Sequence, residues 1–464
     1  MAYDEKWLGG KIMTAIGIIG IIVALVLFLV LVYKGVSSFI VAPVCAVVVA
    51  VTNAMSPVTT FYTFAQGLGD MIVQLFAIVF LGAVLGKLYT DTKAAASIAK
   101  TLTVTFIAKR EGKTQVRIAI LIMMIIAGLM TMGGIDGFVL TFTTFPIAMI
   151  IAEMVKIPRR FVPAMLMLNC AFMACPGAPQ IDNIAMVGAL QGEGFEVTAT
   201  AAAIPGLVGV LIVIVLGYIT LTQMIIKAQE RGEVFDAAGI EMTDVMSDDT
   251  KLPNFFVALI PLVLVFVLYT IVGLDVAVAL TAGNLAVLIL MGRYIEKKDG
   301  SRLKGIIGSL NIGADSYPNA LTTVATPSGL ATVVTSTAAF GAIVGALSTL
   351  NLHPVLLAFL VICVVVALTS APPVALYVGL PVVVGICRAK GLDFNVAAVG
   401  RVAALAATTF ETLPVNGMCV LTIHLARSSY KESYLPMFLN TLVYTLIASI
   451  VVALICIACP GLAF

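Results

Sequence analysis

The chain has 464 residues, of which 61% are hydrophobic and only 11% charged, and its mean hydropathy is +1.13. Such a composition excludes a soluble globular protein. The net charge of +2, with the basic residues scattered over short loops, provides no electrostatic footprint for nucleic acid.

Uncharged stretches long enough to span a bilayer as helix, about 20 residues each, recur at 12–33, 161–181, 197–226, 252–274 and 433–464, and no Lys, Arg, Asp or Glu stands between Asp315 and Arg388. A β-barrel would alternate apolar and polar residues. These Leu/Ile/Val/Ala runs do not, so an all-α polytopic membrane protein of the cell membrane, the plasma or bacterial inner membrane, is expected. The first apolar run, behind MAYDEKWLGGK, is longer than a signal-peptide core and reads as a retained helix. All eight cysteines lie in or beside apolar segments, where buried packing is the simpler reading. Cys456 and Cys459 form a C-x-x-C near the end of the last helix, for which a redox role is the less favoured alternative because no βαβ pattern surrounds it.

In chain order, the first half predicts helices near 12–33, 36–54 and 66–89, then an interfacial piece near 94–108. Residues 117–155 leave and return to one basic side, either as two full crossings or as a re-entrant hairpin, and the polar tip TMGGIDGF favours the hairpin. An interrupted run, 161–190, and a closing helix, 200–224, complete that half. A polar linker with Asp248 and Asp249 divides the chain, and its acidic pair reads as a solvated loop rather than a metal site. The second half predicts helices near 254–273 and 276–292, a polar-laced segment 304–327 and an apolar piece 329–350. A second hairpin, 353–388, has its tip at TSAPP; an interrupted run, 392–426, and a closing helix, 433–459, follow. Lys and Arg favour cytoplasmic loops, which places the linker inside. The expected organisation is a first membrane repeat at 1–226, a cytoplasmic linker at 227–252 and a second, inverted repeat at 253–464. Arg388 and Lys390 then face outside, against the charge rule.

The residues ACPGAPQIDN at 174–183 carry the chemistry. Proline removes a donor and clashes with the preceding turn, so PGAP stops a helix in mid-membrane and frees backbone groups that need partners other than lipid. Pro176, Gly177, Gln180 and Asn183 are candidate substrate ligands there. A Pro or Gly kink without a ligand is the structural alternative for one isolated break, yet a matching break stands in TTFETLPVNG at 408–417, with Thr408, Thr409, Thr412 and Asn416. Paired breaks mark a transporter's central site. The hairpin tips add Gly133, Gly134 and Asp136 on one side and Thr369 and Ser370 on the other.

Carboxylates within the membrane are costly, so Glu411, Asp182 and Asp136 are the ion-coupling candidates. Asp315 is a weaker one, and Asp70 and Asp275 are assigned to helix ends. Arg401 is read either as a partner for a substrate carboxylate or as a helix-end charge reaching the interface. His353 and His424 form no ligand set, and no metal or cofactor is expected.

The blocks GGIDGF, IPRRFVPAML leading into ACPGAPQIDN, and GRVAALAATTFETLPVNGMCVLT resemble the gluconate:proton symporter (GntP-like) family and its hydroxybutyrate-permease relatives, within the ion transporter superfamily. The likeness spans most of the chain, and the interrupted segments are its specific part. It implies a two-repeat scaffold, paired re-entrant hairpins, uptake of a small organic acid and an elevator-type movement. By position, Pro176, Gly177, Pro179, Gln180 and Asn183 match the first motif, and Glu411, Leu413, Pro414 and Asn416 the second. Relatives often carry a Gly-rich run and Asp where this chain has TTFE, and His at Val415; these departures bear on substrate and coupling ion.

The expected function is a secondary active transporter importing gluconate, hydroxybutyrate or a similar carboxylate with protons. A sodium-coupled symporter or a cation/proton antiporter is the alternative. A membrane-embedded enzyme would need a metal set or an activated nucleophile, and the sequence offers neither. Its partners are the carboxylate, the coupling proton (or sodium) and membrane lipids, and a static scaffold would suit a homodimer.

Overall fold

The computed structural model describes residues 2–34, 36–107, 109–135, 137–240, 251–369, 372–410 and 417–464. Their regular structure is helical, apart from an isolated bridge between Lys298 and Ser301. The first half forms α1 (Ala2–Tyr33), α2 (Ser38–Thr52), α3 (Pro57–Asp91) and a short α4 (Ala94–Leu102). A hairpin of α5 (Gly112–Met132) and α6 (Gly137–Val155) follows. The interrupted run consists of α7 (Val162–Leu166), a 3-10 turn at Met167–Asn169, α8 (Cys170–Met173) and, beyond a break, α9 (Ile181–Gly192). The half closes on α10 (Ala203–Glu230).

The second half runs in the same order. It has α11 (Phe255–Phe266), α12 (Val276–Met291), α13 (Arg302–Thr335) and α14 (Ala338–Ser348). The hairpin is α15 (Pro354–Thr369) with α16 (Pro372–Ala389), and the interrupted run is α17 (Val396–Ala407), a 3-10 turn at Thr408–Phe410 and α18 (Gly417–Leu425). The closing helix is α19 (Tyr430–Phe438) and α20 (Tyr444–Ala458), joined by a π segment at Leu439–Val443. Among the described residues, Gly112–Met132, Ala203–Glu230, Val276–Tyr294, Pro372–Ala389 and Tyr430–Ala458 are long and apolar enough to cross a membrane.

Local chemistry sets many of these starts. Ser56, Asn254, Asp275 and Asn395 each accept from a backbone N–H two or three residues on, satisfying a donor that the helix start leaves open. Asp275 is therefore a helix-end residue, as expected. Asp70 is not: α3 starts at Pro57, behind the Ser56 cap, so Asp70 lies exposed within the helix.

The separate pieces expected at 304–327 and 329–350 also need correction, because one helix, α13, runs to Thr335 and only then breaks to α14. Packing explains the continuity. α13 lies along α3, and small residues let the two backbones meet: a Cβ on Gly329 would stand 2.8 Å from the carbonyl oxygen of Phe64, and one on Gly313 would stand 3.0 Å from the Cα of Val84. Two of its hydroxyls are satisfied within the helix, Thr332 donating to the Ser328 carbonyl at 2.9 Å and Ser309 to that of Gly305 at 3.2 Å.

Two ends of the bundle can be told apart by their contacts. At one, Lys113 pairs with Glu230 at 2.6 Å and Arg160 with Glu233 at 2.7 Å, while Arg159 donates to the carbonyls of Ala426 and Arg427. At the other, Arg388 pairs with Glu193 at 2.7 Å, Asn395 donates to the Ala463 carbonyl at 2.6 Å, and the Ala202 N–H donates to that of Phe464 at 2.9 Å. The first interrupted run therefore travels from the Arg159 end to the Glu193 end and the second travels back. They are antiparallel. Arg388 lies at the end away from the linker, as the sequence implied.

Candidate functional site

At the first break, the prolines stop the hydrogen-bond ladder after α8, and side chains replace it. Gly177 has φ +79°, a left-handed conformation that glycine adopts without a Cβ clash. Its N–H donates to the Ala199 carbonyl at 2.9 Å, and its own carbonyl accepts from the Thr270 hydroxyl at 2.5 Å. The Asn183 amide donates to the carbonyls of Cys175 at 2.7 Å and Ala178 at 3.0 Å. Pro176 packs on Gly206, where a Cβ would stand 2.5 Å from the proline ring. Each freed backbone group named here is thus met by protein rather than lipid.

Arg401 completes this cage, and both sequence readings of it need correction. It is not at an interface; its relative exposure is 0%. Its guanidinium donates to the carbonyls of Ala201 at 3.0 Å, Ala174 at 3.0 Å and Ala199, and to the Asn183 side-chain oxygen at 2.7 Å. The fork of donors that a substrate carboxylate would need is engaged by these acceptors. Arg401 instead binds α17 of the second interrupted run to the break of the first.

The tip of the first hairpin rests on the same break. The Gln180 amide donates to the carbonyls of Thr131 at 2.7 Å and Ile135 at 3.2 Å, capping the end of α5. Gly134, at φ +82°, lies where a Cβ would stand 2.8 Å from Leu280 and 3.4 Å from Pro179, and a Cβ on Gly133 would stand 2.3 Å from Leu262. The tip is therefore wedged between the break and helices α11 and α12.

Around the second break, Thr408 and Thr409 are buried, and their hydroxyls donate back to the carbonyls of Leu405 at 2.8 Å and Ala406 at 2.7 Å. Asp136, Ser370, Glu411, Thr412, Leu413, Pro414 and Asn416 lie outside the described residues, as do Asp248 and Asp249 of the linker. Thr369 is the last residue of α15. The structure thus brings Gly133, Gly134, Pro176, Gly177, Gln180 and Asn183 together. Asp182 is buried in the first turn of α9, with 2% exposure. Asp315 is exposed on α13. His353 accepts from the N–H of Val355 at 3.3 Å, and His424 ends near α18's last residue. Among the described residues no three His, Cys, Asp or Glu side chains cluster as metal ligands.

Two residues in this region escaped the sequence reading. Asn169 is fully buried in the 3-10 turn before α8, and Asn440 is buried in the π segment of the closing helix, which packs against the 3-10 turns at 167–169 and 408–410. A lone amide in an otherwise apolar run was the available signal for each.

No protein-family model matches the chain. It is 30% identical over 257 residues to the uncharacterized transporter YxjC of Bacillus subtilis, covering 53% of this chain and 52% of that protein. It is 31% identical over 191 residues to the L-idonate transporter of the Gnt-II system of Escherichia coli, covering 40% and 41%. Against the high-affinity gluconate transporter of the same organism the identity is 30% over 180 residues, 38% of each chain. The chain thus spans about half or less of the length of these curated relatives. Its fold is similar to the crystal structure of the YdaH transporter of Alcanivorax borkumensis, with a TM-score of 0.56, 13% identity, and coverage of 87% of this chain and 89% of that one. That likeness concerns the fold alone. The resemblance to the gluconate:proton symporter family, read from the interrupted segments, therefore holds for a chain that is an all-helical, multi-pass protein of the cell membrane.

Proposed function

We propose that the protein is a secondary active transporter that imports a small organic acid of the gluconate or hydroxybutyrate type together with protons, by an elevator movement. One observation carries the reading: the same order of elements occurs in both halves, and the two interrupted runs lie antiparallel and are joined by Arg401. Residues 1–226 and 253–464 are then inverted repeats about the linker 227–252, with the substrate held where their helices break. The names of the idonate and gluconate transporters support an organic acid as substrate.

In this mechanism the hairpins and interrupted runs travel as one body against α1 to α3 and α11 to α13. Arg401 keeps the two breaks in register, and Gly133 and Gly134 let the hairpin tip pass close to Leu262 and Leu280. The residues assigned to the substrate are Gly133, Gly134, Asp136, Pro176, Gly177, Gln180, Asn183, Thr369, Ser370, Thr408, Thr409, Thr412 and Asn416, of which Asp136, Ser370, Thr412 and Asn416 lie outside the described residues. Glu411, Asp182 and Asp136 are the coupling carboxylates. Transport needs no bond chemistry, so no enzymatic role is assigned.

The test is uptake of labelled mono- and dicarboxylates by proteoliposomes under imposed proton or sodium gradients. Proton-driven accumulation is expected, and Glu411→Gln should abolish it while leaving substrate exchange largely intact. Asp182→Asn and Asp136→Asn are the controls. Accumulation by Glu411→Gln under a proton gradient passes coupling to an aspartate or to sodium, and no accumulation of any acid by the wild type refutes the reading.

A further inference from the structure

A buried amide donor left without an acceptor is destabilising, so such a group in a native interior needs a reason. Asn169 is 0% exposed, and its Nδ2 has no hydrogen-bond partner among the described residues. Its Oδ1 accepts from the Cys170 thiol at 3.8 Å, which leaves the amide nitrogen as the open end.

The surroundings of that nitrogen are specific. A Cβ on Gly137 would stand 3.2 Å from it and 3.1 Å from the sulfur of Met418, so the absence of a side chain at Gly137 is what lets the start of α6 come this close to the Asn169 amide. Gly137 is the first residue of α6, and Met418 is the second of α18. The N-terminus of α6 therefore lies beside the buried amide, with the Met418 side chain of α18 packed against the same glycine. A helix N-terminus presents N–H groups without intrahelical acceptors and about half a positive charge. The open amide and the start of α6 are both donors in an apolar interior, and an anionic group with several lone pairs is the matching ligand.

We propose that Asn169 is a substrate-binding residue that holds the carboxylate of the transported acid beside the N-terminus of α6. The assignment rests on the transporter reading above and supplies a donor for the charged group. Arg401 is not that donor, since its guanidinium is held by Ala174, Ala199, Ala201 and Asn183.

The test uses the full chain in proteoliposomes with labelled gluconate and hydroxybutyrate, and thermal unfolding of the same purified protein without acid. Asn169→Leu keeps the approximate shape and removes the unpaired donor, so its ligand-free Tm should be unchanged or higher. Its KM should rise by roughly 10- to 100-fold, the loss of one hydrogen bond to a charged group. Asn169→Ser, smaller and able to bond within its own turn, should show the same rise and guards against a packing defect. The uncharged amide of gluconate should compete poorly in the wild type, with the gap to gluconate narrowing in Asn169→Leu. An unchanged KM in both variants, or a rise that only tracks a fall in Tm, overturns the site while wild-type uptake stands. A wild type that moves neither acid overturns the transporter reading for these acids and this site with it.

Discussion

Replacing Arg401 by methionine tests whether the arginine holds the structure together or receives substrate. The methionine fills much of the same volume without donors. It leaves the Ala174 carbonyl, the Ala201 carbonyl and the Asn183 side-chain oxygen without the donor they have now. The Ala199 carbonyl keeps the Gly177 N–H at 2.9 Å. Each buried acceptor left unmet costs about 1–3 kcal/mol. Removing the guanidinium relieves its own desolvation, so the net loss should be about 3–5 kcal/mol, the range for a buried charge network broken from one side. That is a large fraction of a typical folding free energy. Thermal unfolding of the purified protein in detergent should show a clear fall in Tm for Arg401→Met. Arg401→Lys, which keeps the charge and three donors but loses the planar fork, should fall less. Both should lose transport in proportion to the loss of folded protein. If Arg401→Met instead keeps the wild-type Tm and only raises the KM for the acid, the arginine binds substrate and the cage argument is wrong.

Two further outcomes follow from the break. Gly177→Ala forces a Cβ into the left-handed region and within 2.5 Å of the Thr270 methyl, and should cost about 1–2 kcal/mol in stability, measured as a lowered unfolding midpoint; an unaffected midpoint refutes the constrained turn. Gln180→Leu removes the donor to the carbonyls of Thr131 and Ile135, so faster deuterium exchange should appear at residues 131–135 and not at the distant helix α1; equal exchange in both refutes the capping role.

Much of this architecture is written locally. Runs of uncharged apolar residues make helices of membrane length because a bilayer leaves the backbone no other partner, and Pro176, Pro179 and the glycines of the tip interrupt them for reasons that lie within a few residues. The hairpin at 117–155, the break at 174–180 and the repeated order of elements were legible for that reason. Three features were not. α13 is continuous because small residues let it lie against α3, and its polar residues alone suggested two pieces. Arg401 looks like an interfacial charge in its own sequence neighbourhood, whereas the carbonyls that hold it come from about 200 residues earlier. Asn169 reads as an ordinary member of an apolar run until the first residue of α6 packs against its buried amide. Backbone satisfaction and chain breaks depend on near neighbours, so the sequence alone determined them; the burial of a charge or an amide depends on which distant groups meet it, and only the tertiary structure decided that.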